Sequence, residues 1–143
     1  MRRADFAFFH RIRVRYSEID GQAVVFNARY LDYADLGMTE YWRSLGIPIV
    51  PGPGTPEFHA AHAEVDFEKP VRLDEEIDIG VRAARIGRTS VTLAIGLFGA
   101  AGDDLRARIE LVYVHVDLKT GVPAPLPADL IARFEGGAAR SAG

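Results

Sequence analysis

Residues 17–31 read Ser17-Glu18-Ile19-Asp20-Gly21-Gln22-Ala23-Val24-Val25-Phe26-Asn27-Ala28-Arg29-Tyr30-Leu31, and the hydrophobic period changes across them. Upstream, Phe8, His10, Ile12, Val14 and Tyr16 alternate with Arg11, Arg13 and Arg15. A period of two marks a strand over 8–16 with one buried face, the arginines forming a solvated outer face. Downstream, Tyr30, Leu31, Ala34, Met38, Tyr41, Trp42 and Leu45 recur at three-and-four spacing, the pattern of an amphipathic helix. Asn27 suits its N-cap and Gly46 its C′ position. The stretch is thus the loop that joins a first strand to the only long helical pattern in the chain. Gly37 inside that helix costs about 1 kcal/mol relative to alanine, which a close strand or a neighbouring chain would explain.

Beyond the helix, residues 46–56 hold four prolines and three glycines and read as an irregular connector, a flap over a site. Strand patterns then follow over 57–68, 73–86, 89–98 and 105–117. Pro70 marks the first of these as an edge or a bulge. A short closing helix is expected over 127–134, with Pro127 at its start, and 136–143 as a flexible tail. One strand, one long helix and four consecutive strands indicate an α+β domain over 1–135, an antiparallel five-stranded sheet wrapped around the helix. A single helix covers only one face of such a sheet, so edge-strand pairing into a homodimer or homotetramer is expected.

Composition narrows the function classes. The chain of 143 residues has a net charge of −3, which gives no electrostatic case for nucleic acid or an anionic membrane surface. Nothing approaches the roughly 20 apolar residues of a membrane span, and the apolar run in MRRADFAFFH is too short for a signal peptide. Cysteine is absent, which removes disulfides and thiol nucleophiles and fits the cytoplasm. Positive charge is carried by 15 Arg and 2 Lys, hence mostly in planar, bidentate form.

No metal site is expected. His59 and His62 are three apart, which on a regular strand puts them on opposite faces. No serine-nucleophile elbow or nucleotide-binding glycine loop is present. Asp20 remains. As half of an Asp-Gly pair it reads as a turn residue. It also stands just ahead of a helix start, where unpaired N–H groups gather a partial positive charge. A carboxylate beside such a dipole is the minimum equipment for ester or thioester hydrolysis. Glu40 is accounted for by an ion pair with Arg43.

The run Arg15-Tyr16-Ser17-Glu18-Ile19-Asp20-Gly21-Gln22-Ala23-Val24-Val25-Phe26-Asn27-Ala28-Arg29-Tyr30-Leu31 resembles the signature of hotdog-fold acyl-CoA thioesterases of the 4-hydroxybenzoyl-CoA thioesterase type. The likeness continues through Ala63 to Glu76, Gly87-Arg88-Thr89-Ser90-Val91 and the last strand, about 10–135 in all. It implies a hotdog fold and hydrolysis of an acyl-CoA with no cofactor, coenzyme A entering as part of the substrate. By the same resemblance Asp20 is the nucleophile or general base, and the Asn27 backbone N–H polarises the thioester carbonyl. Val25, Phe26 and Tyr30 would contact the substrate, and Arg85 and Arg88 the phosphates of coenzyme A, with turn arginines in solvent as their plain alternative. The site would lie at a dimer interface, with Met38, Tyr41, Trp42 and the 47–56 flap either shaping the acyl tunnel or simply packing in the core. An acyl carrier protein as thioester donor, or acyl-CoA binding without turnover, are the alternatives. One position departs from the signature: Ala23 stands where the family usually has glycine. A left-handed backbone there would strain alanine by about 1 kcal/mol or more, unless Gly21 takes over the flexibility.

Overall fold

The computed structural model describes residues 1–142, with side chains through Gly137. Strand β1 (Phe8–Arg13) leads through a 3₁₀ turn (Tyr16–Glu18) to helix α1 (Arg29–Ser44). Strands β2 (Phe58–Phe67), β3 (Glu76–Ile86), β4 (Ser90–Gly99) and β5 (Leu105–His115) follow, then helix α2 (Ala128–Ala142). One antiparallel sheet forms, in the order β1-β3-β4-β5-β2, so β1 and β2 are its edges. Helix α2 is longer than expected and includes most of the stretch read as a tail; Gly143 lies outside the described residues. No described helix is long and apolar enough to cross a membrane.

The alternation of the central strands decides which face is inner. Ile77, Ile79 and Val81 of β3 and Val91, Leu93, Ile95 and Leu97 of β4 are buried against α1. The sheet curls round the helix, as the aromatic contacts from both edges record. Phe8 of β1 lies 5.5 Å from Tyr41, and Phe58 of β2 lies 5.9 Å from Trp42, centroid to centroid. Helix α1 turns a slightly different face inward than the spacing implied: Tyr33 and Gly37 are buried, whereas Leu31 is exposed.

Gly37 has a specific reason to be glycine. A Cβ there would collide with Ile79 Cγ2 and stand 3.1 Å from Val81 Cγ2, so the helix rests on β3 backbone-close. At the other end, the Gly46 N–H bonds to the Arg43 carbonyl and the Ile47 N–H to that of Trp42, both at 3.0 Å. With Gly46 at φ +72°, these two bonds make the Schellman stop that a C′ glycine allows.

The outer face departs from a simply solvated one. Arg11 grips both oxygens of Asp78 (2.8 and 3.0 Å), Arg3 adds a third bond at 2.9 Å, and Arg13 pairs with Glu76 at 2.9 Å. The strand also ends earlier than expected, since Tyr16 enters the 3₁₀ turn and is exposed. In β2 the register shifts between Ala60 and His62, a bulge at Ala61.

Replacing Gly37 by alanine gains about 1 kcal/mol of helix propensity but forces a methyl into a filled contact, which costs about 1–3 kcal/mol. A net loss is expected, read as a lower urea midpoint at unchanged slope.

Candidate active site

The loop between β1 and α1 is a tight hairpin. Asp20 N–H bonds to the Val24 carbonyl (2.9 Å), Ala23 N–H to the Asp20 carbonyl (3.0 Å), and Phe26 N–H to the Glu18 carbonyl (3.0 Å). Residues 21–23 therefore form a three-residue turn, whose last position is ordinarily left-handed and glycine-rich. Ala23 occupies it at φ +61°, while Gly21 is not left-handed. The strain stays on alanine, held there by its surroundings: the Ala23 carbonyl accepts from Leu73 N–H (3.4 Å), Val24 bridges to Arg72, and Val25 N–H bonds to the Val71 carbonyl (2.8 Å).

Asp20 is half-buried at the head of this turn, and its Oδ1 accepts the Gln22 N–H at 2.8 Å. No other donor among the described residues reaches the carboxylate, so one oxygen stays uncommitted. Asn27 begins the helical turn, with Arg29 N–H bonded to the Phe26 carbonyl and Tyr30 N–H to that of Asn27. Its own N–H finds no acceptor among the described residues, and no side chain caps the helix. Asn27 is thus not the side-chain cap expected of it; it is an exposed helix start with an unpaired donor, where the macrodipole favours negative charge. Two to three residues of extended hairpin separate it from Asp20, a gap of about 7–10 Å.

A second carboxylate lies beneath the loop. Glu18 is only 6 % exposed. Its Oε1 accepts from Arg15 N–H (2.8 Å) and the Tyr33 hydroxyl (3.0 Å), and its Oε2 from Arg15 Nε (3.1 Å) and Nη2 (3.0 Å). Burial alone would raise the Glu18 carboxyl, but the Arg15 bonds and the Tyr33 hydroxyl outweigh it and hold it below the usual range. Sequence patterning does not single Glu18 out; its one signal is the three-residue spacing to Arg15.

The remaining residues expected at the site separate. Phe26 faces outward at 48 % exposure, whereas Val25 and Tyr30 are buried, Tyr30 with its ring edge-on to Phe67 at 4.9 Å. Arg85 and Arg88 are exposed at the β3–β4 turn, with no ion-pair partner among the described residues. That turn is at the opposite end of β3 from the loop, ten residues or about 33 Å away. Met38, Trp42, Ile49, Phe58, Tyr113 and Leu118 line a cavity of about 280 Å³ under the 47–56 flap. Tyr41, by contrast, is core. Along α1, Met38 and Trp42 are about 16 and 22 Å beyond Asn27, so the cavity too stands apart from the loop of its own chain.

The bulge at Ala61 corrects the two histidines: His59 opposes Val114 and His62 opposes Val112, so both lie on the outer face. There His62 Nε2 lies 3.5 Å from Glu64 and 4.0 Å from Glu110, an exposed group whose three donor atoms fall within 4.8 Å of one another.

The segment that backs the loop, 68–75, is pinned by one guanidinium. Arg106 meets both oxygens of Glu75 (2.9 and 3.0 Å), the Pro70 carbonyl (2.9 Å) and Asp104 (2.7 Å). Bonds from Arg106 first and Lys69 second pull the Asp104 carboxyl from 3.8 down to about 2.

Two outcomes follow from this geometry. Ala23→Gly relieves about 1–2 kcal/mol of left-handed strain against a smaller gain in unfolded-chain entropy of about 0.4–1 kcal/mol. A net stabilisation approaching 1 kcal/mol is expected in urea unfolding. Because the folded pKa of Asp104 is depressed, its stabilising contribution is present above 3.8 and lost as pH falls through about 2. Arg106→Gln is expected to return the Asp104 titration, followed by NMR, toward 3.8 and to flatten the pH dependence of Tm in that window.

The model of the thioesterase superfamily matches residues 22–106. No curated protein matches the sequence. Among solved structures, a Pseudomonas aeruginosa protein superposes with a TM-score of 0.86 at 24% identity, over 95% of this chain and 94% of its own. A 1,4-dihydroxy-2-naphthoyl-CoA thioesterase from Synechocystis gives 0.81 at 19% identity, over 89% and 94%. A Thermus thermophilus thioesterase complexed with coenzyme A and Zn gives 0.79 at 26% identity, over 94% and 97%. With the family match spanning more than half of the chain, and the sheet wound round α1 in the matching fold, this chain belongs to the thioesterase superfamily and has the hotdog fold.

Proposed function

We propose that the protein hydrolyses an acyl-CoA thioester to a carboxylic acid and free coenzyme A. Its family supports thioester hydrolysis in general. The observation that carries the finer reading is the hairpin itself, which holds a carboxylate with an uncommitted oxygen ahead of a helix start with an unpaired N–H. In this reading the thioester carbonyl accepts from the Asn27 N–H, and Asp20 acts from the other side. As nucleophile, Asp20 forms an acyl anhydride that water then opens; as general base, it takes a proton from the attacking water. Either way negative charge develops on the carbonyl oxygen, where a fixed dipole in a partly dry site is most effective, and the thiolate of coenzyme A departs. The coenzyme A bound to the Thermus thermophilus relative supports a ligand of the same kind here.

A second copy of the chain completes the arrangement. Edge strand β2 is almost wholly exposed and pairs on one side only. Antiparallel pairing of two such edges about a two-fold axis sets the loop end of one sheet beside the β3–β4 turn end of its partner. The loop then meets Arg85 and Arg88, as phosphate contacts, and the 280 Å³ cavity, as acyl pocket, from the other subunit. A homodimer, or a homotetramer built from it, is the assembly this reading requires.

The test is a panel of aromatic and aliphatic acyl-CoAs, with an acyl carrier protein thioester alongside, assayed for free thiol. Asp20→Asn is expected to lower kcat at least about 100-fold, the scale of a lost acid–base or nucleophilic group. Hydrolysis surviving in the variant removes Asp20 from the mechanism. Acyl-CoA binding without thiol release by the natural chain recasts it as a binding protein. A monomeric mass by light scattering contradicts the shared site.

A further inference from the structure

Glu18 is one of few polar side chains withdrawn from solvent, and its companion Asp78 has a plain task in pinning Arg3 and Arg11 on the outer face. Glu18 is placed differently. It joins three pieces of the loop at one residue: Arg15, ahead of the 3₁₀ turn; Phe26, through its own carbonyl, one residue before Asn27; and Tyr33, within α1. Tyr33 is fully buried, and burial first, then its bond to Glu18, raises the hydroxyl above its ordinary value, keeping it a donor.

Stability does not by itself call for a carboxylate here. Its ion-pair partner Arg15 is mostly exposed, and a pair with one partner in solvent contributes little net stability. What the charged hydrogen bonds add is direction. Asn27 lies between Phe26, fixed through the Glu18 carbonyl, and Tyr33, fixed through the Glu18 carboxylate; Asp20 is two residues further along the same hairpin.

Resting on the hydrolytic reading above, we propose that Glu18 and Tyr33 are positioning residues, their hydroxyl–carboxylate bond setting the α1 start, and with it the Asn27 N–H, against the turn that carries Asp20. Misplacing reacting groups by about 1 Å can cost 10²-fold in rate, so the loss appears in kcat. Tyr33→Phe removes one oxygen and keeps the ring. It is expected to lower kcat at least about 10-fold while KM for a hydrolysed acyl-CoA moves less than about 2-fold, the signature of an interaction expressed in the transition state. Glu18→Gln, which sets an NH2 donor where one of the two accepting oxygens now stands and faces it toward the Arg15 and Tyr33 donors, is expected to lose at least as much. A Tyr33→Phe enzyme with natural kcat, with or without a lower Tm, overturns the proposal, whether or not Glu18→Gln folds. Asp20→Asn in the same assay separates the two failures. If it stays active, the role given to Asp20 in the reaction has failed; if it is inactive beside a fully active Tyr33→Phe, only the positioning role has.

Discussion

Helix α1 lies with its bare backbone at Gly37 against the Ile79 and Val81 side chains of β3, and much of the fold is referenced to that contact. Because the helix cannot lift away, Tyr30 and Tyr33 stay buried at its beginning and Tyr41 and Trp42 at its end. The sheet has to curl for β1 and β2 to reach those aromatics. The same closeness sets how far the first turn of the helix projects beyond the sheet. The loop arriving there must make its reversal in three residues. The geometry of the loop thus descends from a packing contact some ten residues away, through a helix too rigid to absorb error.

Local strain and local bonding balance around that loop. Alanine at the left-handed corner is unfavourable alone, and three ties to the 70–75 segment hold it in place. Those ties are themselves backed by Arg106, which spans Glu75, Asp104 and the Pro70 carbonyl. Strain of this kind persists where its surroundings over-determine the backbone, and here the surroundings are charged and partly sheltered from water.

How much of this was legible in the sequence depends on which force shapes each piece. The inner strands follow from period-two burial: Ile77, Ile79 and Val81, or Leu93, Ile95 and Leu97, have no other consistent placement. The long helix, its glycine stop at Gly46 and the edge character of β2 were equally readable. Asp20 and Asn27 were singled out through resemblance; patterning alone left Asp20 an ordinary turn residue, and the structure shows that it does form a turn. Long-range pairing was hidden. Arg11 and Arg13 read as solvated because their acceptors, Asp78 and Glu76, come more than sixty residues later. Glu18 gave no sign of burial because Tyr33 reaches it only once the hairpin closes. Pro70 suggested an edge or a bulge in this strand but not where: the bulge falls at Ala61, beside Ala60, and two adjacent small residues mark neither face.

That bulge bears on how one copy of the chain could recognise another. It divides β2 into a short run ending at Ala60 and a regular run over 62–67. A bulge breaks the even spacing of N–H and C=O groups along an edge, so an added strand finds unbroken spacing for only six residues, about 20 Å of ladder. An open edge usually invites many registers; this one is interrupted near its middle and charged along its outer face by Glu64 and Asp66. The alphabet available to a docking strand is short, and a two-fold pairing confined to the regular run has its axis at a residue pair, because opposed residues of two identical strands must point to the same face of the sheet. One extra residue in an edge strand thereby acts as a ruler, limiting how far along this edge any added strand can keep an even ladder.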